Sequence, residues 1–121
     1  MGLRFGAQIE GAVIMKLVIL KIYPATGRAP AVIDVLESMK AELAAVADCM
    51  DCTVAFETGE EGAIVYTEQW RSKEALDGHL RSHIFLRVLE AMEYSRKAPK
   101  INFFHVSELG GLELVEMARV Q

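Results

Sequence analysis

Residues 64–82 read IVYTEQWRSKEALDGHLRS, and the change of period inside this stretch decides the fold. From Ile64 to Trp70 the residues are β-branched, aromatic or alternating polar, which is strand chemistry. Ile64, Tyr66, Glu68 and Trp70 share one face, and Val65, Thr67 and Gln69 take the other. At Ser72 the pattern changes. A serine there is a natural helix N-cap, and Glu74 sits where the helix dipole favours negative charge. Leu76, His79, Leu80 and His83 then recur along one helical stripe, with Asp77 and Arg81 pointing away. A strand hands over to a helix through a tight corner.

Working towards the N-terminus, Gly59-Glu-Glu-Gly62 closes a hairpin whose first strand is Cys52 to Thr58. Before it, Val32, Leu36, Met39, Leu43 and Val46 keep helical spacing, and Pro30 suits a first turn. This predicts one long amphipathic helix ending near Asp48. Val13 to Tyr23 is a β-branched, apolar strand stopped by Pro24-Ala-Thr-Gly27. Towards the C-terminus, the helix that starts at Lys73 should break near Ser82 and resume to about Tyr94. Pro99 precedes a fourth strand, Ile101 to Ser107, and Gly110-Gly111 separates a last segment, LELVEMARV, of strand-like content.

The order β-α-β-β-α-β is the split βαβ, an α+β ferredoxin-like sandwich with both helices on one face of an antiparallel sheet. An extra C-terminal strand, residues 109–121, follows the domain spanning 13–108, and residues 1–12 form an N-terminal extension. The sheet's second face needs a cover, since soluble chains seldom expose a large apolar patch. A homodimer paired through its sheet faces supplies one, and the tail strand reaches the partner.

At 121 residues, 52% hydrophobic and 25% charged, this is a single globular domain able to bury about two-thirds of its extended surface. A net charge of −4 argues against nucleic acid. The basic residues Arg81, Arg87, Arg96, Lys97 and Lys100 are mixed with acids. The opening MGLRFGAQIEGAVIMKLVILK carries Glu10, Lys16 and Lys21, so it is neither a secretory signal nor a membrane span, and the expected location is the cytoplasm. Cys49 and Cys52 form a CxxC, but an alternating strand follows it where a redox motif would have a helix. No second pair completes a zinc site. Buried apolar thiols are the reading here.

If the helical stripe packs on the face that carries Trp70, then Tyr66, Glu68, Trp70 and His79 converge. An aromatic wall, a carboxylate and an imidazole beside a core make a small-molecule pocket. Each residue also has a plainer role: Trp70 as a core plug, His79 as a satisfied core imidazole, Glu68 as a cross-sheet partner and His83 as a solvent-facing side chain. His105, beside Phe103 and Ile101, reads as a half-buried imidazole. No phosphate loop, GxSxG or nucleophile–base pairing is present.

The run from Ile64 to Ser82 resembles the central motif of the antibiotic biosynthesis monooxygenase (ABM) family. That pattern is an apolar strand ending in Glu-x-Trp, a serine-containing turn and a helix with Ala-His-Leu or similar. Glu68, Trp70, Ser72, Ala75, His79 and Leu80 match it, and the rest of 13–108 is compatible. The resemblance implies a dimeric α/β barrel with a pocket in each subunit. It also implies chemistry ranging from cofactor-free oxygenation of anthrones and quinols to haem degradation. Haem degradation is disfavoured, because the place of that branch's histidine falls near Leu89 and the first strand has no asparagine. In the anthrone-oxidising branch an asparagine stands four residues before the tryptophan; Tyr66 stands there in this chain. Arg87 is the approximate counterpart of that branch's arginine, and His83-Ile84 replaces the Pro-His of quinol-oxidising relatives.

The expectation is a monooxygenase acting on a small aromatic quinol or anthrone-like substrate, with no metal and no other cofactor. His79 or Tyr66 would move the proton, with Glu68 fixing the His79 tautomer. Trp70 would stack on the ring, Arg87 would stabilise the anion, and Glu68 and His83 would join Arg87 in binding the substrate. The rival is a dimeric binding protein of the same fold, without turnover.

Overall fold

The computed structural model describes residues 14–59 and 62–120; the expected N-terminal extension lies outside the described residues. The chain runs through β1 (Ile14–Ile22), α1 (Ala29–Leu43), β2 (Cys49–Phe56), β3 (Ile64–Trp70), α2 (Lys73–Arg81), α3 (Phe85–Met92), β4 (Lys100–Ser107) and α4 (Leu112–Arg119). The four strands form one antiparallel sheet in the order β2-β3-β1-β4, the ferredoxin-like arrangement, and in the single chain this sheet is open. Met15–His105 make up one compact unit, and the segment from Val106 onward groups apart from it.

Strand alternation explains how the core is assembled. β3 pairs with β1 from Lys16 opposite Trp70 to Ile22 opposite Ile64, so Val18, Leu20 and Ile22 point to the same side as Ile64, Tyr66, Glu68 and Trp70. The helices close that side with Val32, Leu36, Met39 and Leu43 from α1, Leu76 from α2, and Phe85, Val88 and Ala91 from α3. Each fully buried aliphatic side chain among them is worth about 1.5–3 kcal/mol relative to exposure. Gly27, with φ of 80°, turns the chain from β1 into α1 in a backbone region that favours glycine.

Two expectations are corrected. α1 ends at Leu43 rather than near Asp48. Its last turn tightens, the Ala45 N–H bonding to Glu42 O and the Val46 N–H to Leu43 O, so Val46 leaves the buried stripe and stands part-exposed. The C-terminal segment is not a strand: Leu112–Arg119 is helical. The alternation of Leu112 and Leu114 with Glu113 imitated a strand, but Leu, Glu, Met, Ala and Arg are all good helix formers. The Gly111 N–H donates to the Glu113 carboxylate at 2.9 Å, satisfying one of the unpaired donors at the helix start and holding that carboxyl below its usual range.

β2 begins at Cys49, three residues before the expected strand, and it is irregular. Its register against β3 shifts between Cys49, opposite Trp70, and Asp51, opposite Gln69. Residues three apart on a regular strand face opposite sides. The extra residue puts both cysteines on the helix side, Cys52 in the core and Cys49 packed against it. Both are free thiols, and burial pushes Cys52 up to about 11 and raises Cys49 as well.

Candidate functional site: a buried carboxylate joined to a cleft histidine

Three alternate residues of β3 place their side chains in a row under the helices, and the middle one is charged. Glu68 is 0% exposed, with Tyr66 at 1% and Trp70 at 2%. A carboxylate so deep needs donors around it. The Tyr66 hydroxyl donates to Oε2 at 2.6 Å, and the Trp70 indole N–H donates to Oε1 at 2.8 Å. The third partner comes from α2, where His79 Nε2 lies 2.9 Å from Oε2. Burial first, then the neighbouring Glu68 charge, push the Tyr66 phenol far above its ordinary value.

His79 is held from several directions. Ser72, seven residues ahead of the histidine, caps α2 by accepting the Ala75 N–H at 3.1 Å and so sets the helix start. The His79 imidazole stacks on Trp70 with centroids 4.8 Å apart and planes at 28°. Phe85 meets it edge-on at 5.2 Å. Ser82, where α2 ends, donates its hydroxyl to the His79 carbonyl at 2.7 Å. With the carboxylate on Nε2, that nitrogen carries the proton. Nδ1 has no protein partner among the described residues, and His79, 8% exposed, lines a cleft of about 390 Å³.

The cleft is chiefly apolar, walled by Leu43, Val46, Ala75, Ile84 and the edge of Trp70. Glu42 and Asp48 add carboxylates. Each is engaged by an arginine, Arg87 Nη1 lying 2.5 Å from Glu42 and Arg71 Nε 3.7 Å from Asp48. A neutral imidazole with its lone pair free, backed by a fixed carboxylate and an aromatic face, can take a proton from an acidic aromatic ligand. Among the described residues no group of three or more His, Cys, Asp or Glu side chains is placed to hold a metal.

The structure thus brings together Tyr66, Glu68, Trp70 and His79. It does not bring His83 or Arg87 to them: His83 is exposed and lines no part of the cleft. Arg87 reaches from α3 to α1, where it bonds Ser38 and Glu42. His105 is exposed rather than half-buried, and its Nδ1 meets Lys16 Nζ. Sequence reasoning passed over Ser82 and Phe85, the two residues that brace His79. Their signal was the helix break itself, where a serine and a large apolar residue flank the turn.

A ferredoxin-like α+β domain with an apolar cleft and a carboxylate-backed imidazole is the class of protein these features define. The sequence profile described as antibiotic biosynthesis monooxygenase matches residues 15–91, and the chain belongs to that family. No curated protein sequence matches it. Among solved structures, a candidate antibiotic biosynthesis monooxygenase from Caulobacter crescentus CB15 is 23% identical. The match covers 78% of this chain and 91% of that one, with a TM-score of 0.69. A candidate of the same description from Deinococcus radiodurans is 15% identical over 79% and 96% of the two chains, with a TM-score of 0.71. The protein PA3566 from Pseudomonas aeruginosa is 26% identical over 76% and 93%, with a TM-score of 0.65. Among the described residues no helix is long and apolar enough to cross a membrane.

Proposed function

We propose that this chain is a cofactor-independent monooxygenase of a small quinol or anthrone-like aromatic, working in the cytoplasm as a homodimer paired through its sheet faces. The observation that carries the reading is His79, which has Nε2 bound to a fully buried carboxylate and itself lines an apolar cleft. His79 is the base that removes the substrate's acidic proton. Trp70 orients the ring from the cleft wall. Glu68 is a positioning residue that fixes the tautomer, and Tyr66 holds Glu68 in turn, its own proton being engaged there. Arg87 and His83 have no part in this chemistry where they stand, Arg87 being bonded to Ser38 and Glu42.

The electron balance needs no reductant. For an anthrone, the carbanion left by proton removal passes an electron to dioxygen and the radical pair recombines. Loss of water then leaves a quinone: one oxygen atom enters the product and the other leaves as water. The apolar cleft supports this by keeping water from the anion.

The test is oxygen uptake by protein freed of metal, against a panel of anthrones and hydroquinones. Uptake above the spontaneous rate should fall about 10²–10⁴-fold in His79→Ala, the usual contribution of a general base. It should fall less in Trp70→Phe. Uptake that both variants leave unchanged would move the chemistry elsewhere. Saturable quenching of Trp70 fluorescence without uptake would favour the binding protein instead.

A further inference from the structure

Opposite flanks of α2 line two clefts of similar size. Ala75, His79 and Ser82 face the one described above. Lys73 and Leu76 face another, of about 380 Å³, completed by Lys16 on β1 and by Phe103, Phe104 and His105 on β4. All six residues belong to the Met15–His105 unit. The volume lies within the range of small-molecule pockets.

The chemistry of this second cleft is opposite to that of the first. Its walls are apolar, with Leu76 buried and two consecutive phenylalanines, Phe103 and Phe104, 48% and 44% exposed. Its polar groups are basic. Lys16 Nζ donates to His105 Nδ1 at 2.7 Å, which places the His105 proton on Nε2 and leaves the ammonium two further hydrogens to give. Among the described residues no carboxylate engages Lys16. Lys73 is paired with Asp77 at 2.9 Å, an exposed i,i+4 contact of the kind that contributes little. The chain as a whole carries a net charge of −4, so this positive surplus is local.

We propose that the cleft between α2 and the end of β4 binds an organic carboxylate with an aromatic or alkyl body. The carboxylate sits on the Lys16 ammonium, with Lys73 at the rim, and the body lies against Leu76 and Phe103. An ammonium is a compact point charge, suited to one carboxylate oxygen. No arginine lines this cleft, so the anion is held by ammonium point charges rather than by a bidentate fork. The site shares no residue with the oxygenase cleft and stands whether or not that reading holds.

The experiment is calorimetric titration of 2-naphthoate and its methyl ester into the full-length chain and three variants. The carboxylate should bind one per chain. The ester, and Lys16→Met with the carboxylate, should each bind about tenfold more weakly or worse, the loss expected of a charge-assisted bond. Phe103→Ala, at a half-exposed position, should weaken binding severalfold, and Ile84→Ala, in the wall of the first cleft, should leave it unchanged. Equal affinity of ester and carboxylate, or no loss in Lys16→Met, would overturn the proposal. So would loss in Ile84→Ala, which would put the ligand in the first cleft. An absence of saturable binding would overturn it too.

Discussion

Replacing Glu68 by glutamine changes one atom of a buried side chain, and the hydrogen-bond pattern fixes the consequence. The carboxylate accepts from Tyr66 and His79 on Oε2 and from Trp70 on Oε1. A glutamine amide has one acceptor and one donor end. With its oxygen towards Tyr66 and His79, the NH₂ group meets the Trp70 N–H, two donors face to face. With the amide turned over, Trp70 is satisfied, but the NH₂ group meets His79 and forces its proton from Nε2 to Nδ1. Orphaning one buried donor costs about 1–3 kcal/mol, and the remaining bonds lose their charge assistance. Relief of the carboxylate's desolvation works the other way, since among the described residues no lysine or arginine pairs with it. The net expectation is a loss of about 2 kcal/mol for Glu68→Gln. Glu68→Leu leaves all three donors unmatched and should lose about 3–9 kcal/mol, a large part of the roughly 5–15 kcal/mol that holds a domain together. Urea denaturation followed by tryptophan fluorescence measures both. A Glu68→Gln protein within about 0.5 kcal/mol of the parent, or more stable than it, would refute the assignment of Glu68 as the hub, since no orphaned-donor penalty that small is expected.

Other outcomes rest on the same geometry. Cys52, held up to about 11 by burial against an ordinary value of 9.0, binds its proton more tightly folded than unfolded, so stability should fall as pH rises from about 9 through 11. Urea midpoints across that window should drop for the parent and drop less for Cys52→Ala, while the buried Tyr66 phenol extends the decline to higher pH. Phe85→Ala removes both a core side chain and the edge contact on His79, and should cost about 3–5 kcal/mol by chemical denaturation. Glu42→Gln breaks an exposed pair, so its stability change should stay under about 1 kcal/mol. It removes the carboxylate that neutralises Arg87, which keeps its bond to Ser38, and titration should show anionic aromatics binding in the first cleft more tightly than in the parent.

Much of the fold was legible in the chain because period and punctuation agree. The alternation from Ile64 to Trp70 and the Ser72 cap fixed where strand becomes helix, and the shared face of Tyr66, Glu68 and Trp70 came from strand geometry alone. What sequence could not supply was the third dimension of α2. Whether His79 turns its Nε2 to Glu68 depends on how the helix rolls on the sheet, which Phe85 and Ser82 set from beyond the helix break. Arg87 misled for another reason. It was named only as the counterpart of an arginine in the anthrone-oxidising branch, and in the fold it bonds Ser38 and Glu42 on α1, more than forty positions away. The β2 irregularity was equally hidden, since no residue type announces a single extra residue at Met50. The C-terminal helix was misread because two leucines and two glutamates satisfy either period over so short a run.

The network around Glu68 also bears on why such a costly group is kept under the helices at all. Opposite a neutral imidazole, the form a general base must start from, the carboxylate's hydrogen bonds do no more than hold position. In the proposed reaction, a proton arriving at Nδ1 makes the ring an imidazolium 2.9 Å from a carboxylate with almost no water between them. That attraction exists only once the proton has moved, and interactions confined to the reacting state raise turnover rather than binding. Tyr66 and Trp70 matter to it because they fix the carboxylate beforehand, so little reorganisation remains when charge develops. On this account the loss in Glu68→Gln falls on kcat, with KM nearly unchanged, whereas shortening a cleft wall at Leu43 or Ile84 falls on KM. A purely structural Glu68 would give no such separation.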